Sequence, residues 1–112
     1  MPGAREFAEG FGLVKDKIID GYRLSHVKIE HEMVKRYHEY RYPITLTFEK
    51  VKKSADEDRL LSDLETETSK SRIINSHYGN PYKCTISNFR LEKTSEGTLL
   101  ITAEGHSVRV YS

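Results

Sequence analysis

The sequence predicts an α+β fold: a two-layer sandwich with helices packed on one face of a mainly antiparallel four-stranded sheet, ending in a C-terminal three-stranded meander. Three observations lead there. Leu99, Ile101 and Ala103 alternate with Leu100 and Thr102, and Val108 and Val110 alternate with Ser107, Arg109 and Tyr111, the period of two of half-buried strands. Ile44, Leu46 and Phe48 alternate with Thr45, Thr47 and Glu49, adding a fourth strand. Upstream, Phe7, Phe11, Val14 and Ile18 recur at helical spacing, and Leu60, Leu61 and Leu64 follow a helix-start signal.

In the meander, the turns set the register. A two-residue turn at Glu104-Gly105 would bring Ala103 opposite His106, Ile101 opposite Val108 and Leu99 opposite Val110. A three-residue loop, Ser95-Glu96-Gly97, pairs Leu91 with Ile101 and Phe89 with Ala103, with Gly97 left-handed. Cys84 and Ile86 are out of phase with Phe89 and Leu91, so one extra residue near Ser87-Asn88 predicts a bulge.

The remaining elements follow in chain order. Residues 1–4 are expected as a disordered tail. The first helix is predicted from Arg5 to Asp20, weakened by Gly10 and Gly12 and stopped at Asp20-Gly21. A rival reading makes Asp20-Gly21 the turn of a hairpin between 13–19 and 22–29 and ranks second, because its flanks do not alternate cleanly. From Ser25 to Arg41 the stripe Ile29, Met33, Tyr37, Tyr40 predicts a polar helix, although Val27, Ile29 and His31 also fit a strand. Tyr42-Pro43 ends it. Ser54 and Glu57 form a capping box, and Asp56, Glu57 and Asp58 complement the dipole of the helix that follows. That helix frays after Leu64, Ile73-Ile74 re-enters the core, and 77–81 is a turn cluster.

With 112 residues, 37% hydrophobic and 31% charged, the chain suits one globular domain with a modest core. Its 18 basic and 17 acidic side chains nearly cancel, so any nucleic-acid role must come from a local patch. A lone cysteine, Cys84, excludes an internal disulfide, and its place on an alternating strand predicts a small buried apolar residue. No signal-peptide pattern, glycosylation acceptor or membrane-spanning apolar run occurs, so a cytoplasmic or nuclear location and no membrane partner are expected.

The motifs that would name a reaction are missing. His31 heads a segment with Lys35 where a zinc-protease helix needs its second histidine, and His31 and His38 lack a third ligand, so no metal is expected. Gly10-Phe11-Gly12 lacks the third glycine and preceding strand of a dinucleotide loop. No cofactor and no catalytic residue is assigned, and Asp56, Glu57 and Asp58 are explained as helix-start charges.

One segment stands above this background. In Lys35, Arg36, Tyr37, His38, Glu39, Tyr40, Arg41 and Tyr42 cations alternate with rings, the chemistry of single-stranded nucleic-acid binding. Lys52 and Lys53 would extend it, or else guard a strand edge. Tyr37 and Tyr40 equally fit core-edge rings. Arg90, Arg109 and Tyr111 share the outward set of the meander, a surface suited to a partner protein. A C-terminal strand at the sheet edge could pair with a partner or with a second copy. By elimination, the expected function is a small non-enzymatic interaction module binding a partner protein or assembling into a complex. The alternative is a single-stranded RNA or DNA binding domain using residues 35–42.

Overall fold

The computed structural model describes residues 1–34, 38–95 and 97–111. The elements are α1 (Ala4–Gly10), β1 (Ile18–Ile19), β2 (Tyr22–Ile29), β3 (Glu32–Met33), β4 (Glu39–Lys50), α2 (Glu57–Glu67), β5 (Arg72–Asn75), β6 (Pro81–Ser95) and β7 (Thr98–Arg109). This corrects the expected sandwich. Seven antiparallel strands form one curled half-barrel sheet in the order β1-β2-β4-β7-β6-β5, with β3 also pairing β4, and two short helices accompany it among the described residues.

Curvature comes from length and irregularity. Strands of 12, 15 and 12 residues, β4, β6 and β7, form its centre. The register shifts between Leu24 and His26 in β2, and between Ser87 and Arg90 and between Lys93 and Ser95 in β6. Each bulge adds twist and bends its strand. The predicted bulge therefore exists, with Asn88 at φ 58. It keeps Tyr82, Cys84 and Ile86 on the same face as Phe89 and Leu91, and Leu91 pairs with Ile101 as expected. Gly97 is left-handed at φ 70, but Ser95 pairs with Thr98, which leaves a two-residue connection rather than three.

The inner face is one continuous core. On β4 it carries Tyr42, Ile44, Leu46 and Phe48, which lie opposite Gly105, Ala103, Ile101 and Leu99 of β7. Phe7 of α1, Phe11 just past its end, and Leu60 and Leu64 of α2 fill the concavity. Pro2 is buried and Ala4 already opens α1, so residues 1–4 are held against the sheet.

Four local expectations are overturned. The helix predicted over 5–20 ends at Gly10, and the rival hairpin forms: Ile19 pairs with Tyr22 across Asp20 (φ 50) and Gly21 (φ 84). Two successive positive φ values make the turn whose twist matches antiparallel strands. Among the described residues of 25–41 no helix forms, because Val27 and Ile29 of β2 face Leu46 and Ile44 across the ladder. Pro43 then lies inside β4 rather than ending a helix. Its carbonyl accepts from Glu30 N–H, so its missing donor faces Glu30, one residue past the end of β2, where proline costs the ladder only a terminal bond. Glu104-Gly105 is no turn, since β7 runs straight through it opposite Pro43 and Tyr42. Alternation then places Ser107 inside, while Val108 faces outward. Last, α2 is capped by the Asp56 carboxylate, which accepts from Asp58 and Arg59 N–H at 3.1 and 3.2 Å, rather than by Ser54.

The C-terminal strand lies between β4 and β6. It has no free edge, and the homo-oligomer expected through it has no surface to form on. No helix among the described residues is long and apolar enough to cross a membrane.

Candidate functional site

One free edge among the described strands is on β2. β1 pairs only with Tyr22 and Arg23, and backbone bonds from Asp16 N–H to Leu24 C=O and from Leu24 N–H to Lys17 C=O carry the cover as far as Leu24. From Ser25 to Ile29, no described strand pairs with β2 on the side away from β4. Glu30 donates its N–H toward β4. Neighbouring residues of a strand direct their amides to opposite sides, so the Ile29 amide faces the open side.

Beside this edge runs a groove of about 560 Å³, open along one side. Its walls are Ala4 and Ala8 of α1, Leu13 and Val14 of the following loop, and Val27 and Ile29 of β2. The half-exposed Val27 and Ile29 continue the inner-face row of Leu24 past the point where α1 covers it. Three basic side chains, Arg5, Lys15 and Lys28, and one carboxylate, Glu9, also line it. Arg5 holds Glu9 at 2.9 Å and Lys28 holds Glu30 at 3.3 Å, while Lys15 has no carboxylate partner among the described residues. The groove thus combines unpaired main-chain groups, apolar walls and a positive rim.

The residues singled out from sequence do not form one surface. Lys35, Arg36 and Tyr37 lie outside the described residues. Tyr42 is wholly buried: its ring stacks on Phe7 at 4.2 Å, its hydroxyl donates to Pro2 C=O at 2.7 Å, and Ser107 Oγ donates to it at 3.1 Å. Burial pushes that hydroxyl up to about 12. Arg41 points outward between Glu104 (3.1 Å) and Glu32 (3.4 Å) and, with Arg90, lines a polar cleft beside the Asn88 bulge. Lys52 and Lys53 lie beyond the far end of β4, about 40 Å of strand from His38 at roughly 3.4 Å per residue. They extend no patch around 38–42.

Four of them do converge. At the end of β7, Arg109 Nη1 lies 3.5 Å from His38 Nε2, and Tyr82 Oη lies 3.4 Å from His38 Nδ1. Arg109 Nη2 donates to Asn80 Oδ1 at 3.3 Å, its guanidinium sits 5.2 Å from the Tyr111 ring, and Tyr40 lies 6.2 Å from Tyr82. Asn80 and Tyr82 escaped the sequence reading. Pro81 and Tyr82 begin β6, and Tyr82 pairs with Arg109.

Elsewhere His106 Nε2 meets Glu39 Oε1 at 2.6 Å on the outer face, with no hydroxyl or thiol hydrogen-bonded to it among the described residues. No group of three metal-binding side chains gathers among those residues. Comparison with protein-family models, with characterised proteins and with solved structures gave no match for this chain.

Proposed function

We propose that this chain is a small interaction module that takes an extended segment of a partner protein onto the open edge of β2. The observation that carries the reading is the juxtaposition of an unpaired strand edge over Ser25–Ile29 with the apolar groove. Strand addition draws affinity from main-chain hydrogen bonds and specificity from alternate side chains entering pockets. A groove of this volume accommodates one or two such side chains. The positive rim selects acidic neighbours, and Lys28 on the edge discourages indiscriminate pairing with neutral strands. The module binds and does not catalyse.

Titrating a synthetic peptide of alternating Val and Glu into the isotopically labelled protein tests this. The amides of Ser25–Ile29 should shift and exchange more slowly with solvent. Ile29→Pro removes the outward amide while leaving the Glu30 bond to β4, and should abolish binding without unfolding the chain. Unperturbed β2 amides, or shifts confined to the outer face, would refute the reading. A labelled single-stranded oligonucleotide that binds instead, with affinity falling steeply as salt rises, would replace it with a nucleic-acid function.

A further inference from the structure

The cluster around Arg109 uses none of the groove residues and stands independently of the proposed partner. Its distinguishing feature is charge. Arg23 and Arg41, also on strands, each hold two carboxylates. Arg72, half-buried like Arg109, is satisfied by the carbonyls of Gly10 (2.6 Å) and Glu67 (2.8 Å). Arg109 has neither arrangement: its hydrogen-bond partners are an amide oxygen and an imidazole nitrogen, and no described residue gives it a carboxylate.

The side chain is nevertheless held in place. Arg109 N–H donates to His38 C=O at 3.1 Å, Val110 N–H donates to Pro81 C=O at 3.0 Å, and Tyr111 stacks over the guanidinium. A planar fork held beside an amide oxygen and an imidazole nitrogen, with two of its five N–H groups engaged by described residues, is preorganised for an oxyanion. Tyr82 Oη and the Asn80 amide stand beside it as uncharged polar groups. We propose that Arg109, Asn80, Tyr82 and His38 form a binding site for a small oxyanion, a carboxylate or a phosphate, with Arg109 as the charged fork.

The probes are inorganic phosphate and benzoate, titrated separately into the full chain and followed by the amide and side-chain resonances of Arg109, Asn80 and Tyr82. At least one should bind saturably, and which of the two binds more tightly separates a phosphate site from a carboxylate site. Arg109→Lys keeps the charge but loses the fork and should weaken binding about tenfold or more. Asn80→Asp supplies a carboxylate from within and should abolish binding while raising the melting temperature. That variant keeps the test valid even if truncating Arg109 unfolds the chain. No saturable shift with either probe, or equal binding by wild type and Asn80→Asp, overturns the proposal.

Discussion

A Cβ added at Gly105 would lie 2.6 Å from Phe7 Cζ and 3.0 Å from Tyr42 Cβ, so α1 reaches the sheet only because β7 has no side chain there. Gly105 faces Tyr42 across the ladder, and Phe7 stacks on the Tyr42 ring. Gly105→Ala should therefore cost about 1–3 kcal/mol through overpacking. Phe7→Leu in the same chain should return part of that loss. Urea denaturation of the two single variants and the double variant measures it, and additive losses would show that the two residues do not meet.

Tyr42 ties the N-terminal residues to the sheet. Its hydroxyl accepts from the buried Ser107 and donates to Pro2. Tyr42→Phe keeps the stack on Phe7 but strands both partners, at a cost of about 1–3 kcal/mol. The pH dependence has a definite sign. Burial raises the Tyr42 hydroxyl from 10.0 to about 12, so the folded chain holds that proton more tightly than the unfolded one. The resulting stability is complete below pH 10 and is lost as pH climbs toward 12. Denaturation midpoints across that range should fall more steeply for wild type than for Tyr42→Phe.

What could be read from sequence was the alternation, and what could not was its reach. The Ile44, Leu46, Phe48 phase extends backward through Tyr42 and Tyr40, but Tyr40 also fits a helical stripe with Ile29 and Met33, and that accident concealed β2 and the start of β4. Glu104-Gly105 resembles a turn pair because local propensity cannot see Phe7, which needs the glycine for close approach. The bulge was legible because a phase slip between Ile86 and Phe89 is a local signal. The groove was not, since an open edge is a property of strand order, and Asp16 and Lys17 decide where the cover over β2 stops. The Arg109 cluster was half legible. Arg109, His38, Tyr40 and Tyr111 stood out by residue type, while Asn80 and Tyr82 reach them only through the β6–β7 ladder.

Asn88 holds φ 58 in the bulge and its side chain donates to Glu104 at 3.0 Å. Only glycine and, to a lesser degree, asparagine and aspartate visit that region readily. Asn88→Gly should change stability little, while Asn88→Val should cost about 1–2 kcal/mol. Deleting Asn88 should be far worse, because it would turn either Tyr82, Cys84 and Ile86 or Phe89 and Leu91 outward. Thermal unfolding of the three variants should rank them in that order. A deletion as stable as wild type would mean the bulge does not set the register.

Cys84 is fully buried, and its thiol points to Tyr82 C=O at 3.6 Å. Burial pushes it up to about 12. Near pH 8 roughly one thiol in ten thousand is then ionised, and only the thiolate reacts. Alkylation by iodoacetamide should be negligible in the folded chain and should appear with the unfolding transition in urea. Rapid labelling without denaturant would place Cys84 at the surface and contradict the inner face of β6.

Asp20 sits in the β1–β2 turn, where its carbonyl accepts from Asp56 N–H at 3.3 Å and its carboxylate lies 3.6 Å from Arg59. Its proton is favoured by a hydrogen bond with Asp63, by burial and by the Asp63 charge, so its carboxyl stands above the ordinary value of 3.8. Asp20 Oδ2 is buried and has no hydrogen-bond partner among the described residues. A raised carboxyl means the folded chain binds the proton more tightly than the unfolded chain, so stability falls as pH rises above 3.8 and the full penalty applies at neutral pH. Asn accepts the left-handed backbone, carries no charge and gives up only a pairing with the largely exposed Arg59. Asp20→Asn should thus raise the melting temperature at pH 7, and the gain should vanish as pH falls below 3.8. Asp63→Asn relieves the same repulsion, so the double variant should gain less than the sum of the two. A loss of stability in Asp20→Asn at pH 7 would mean the Arg59 pairing outweighs the carboxyl pair.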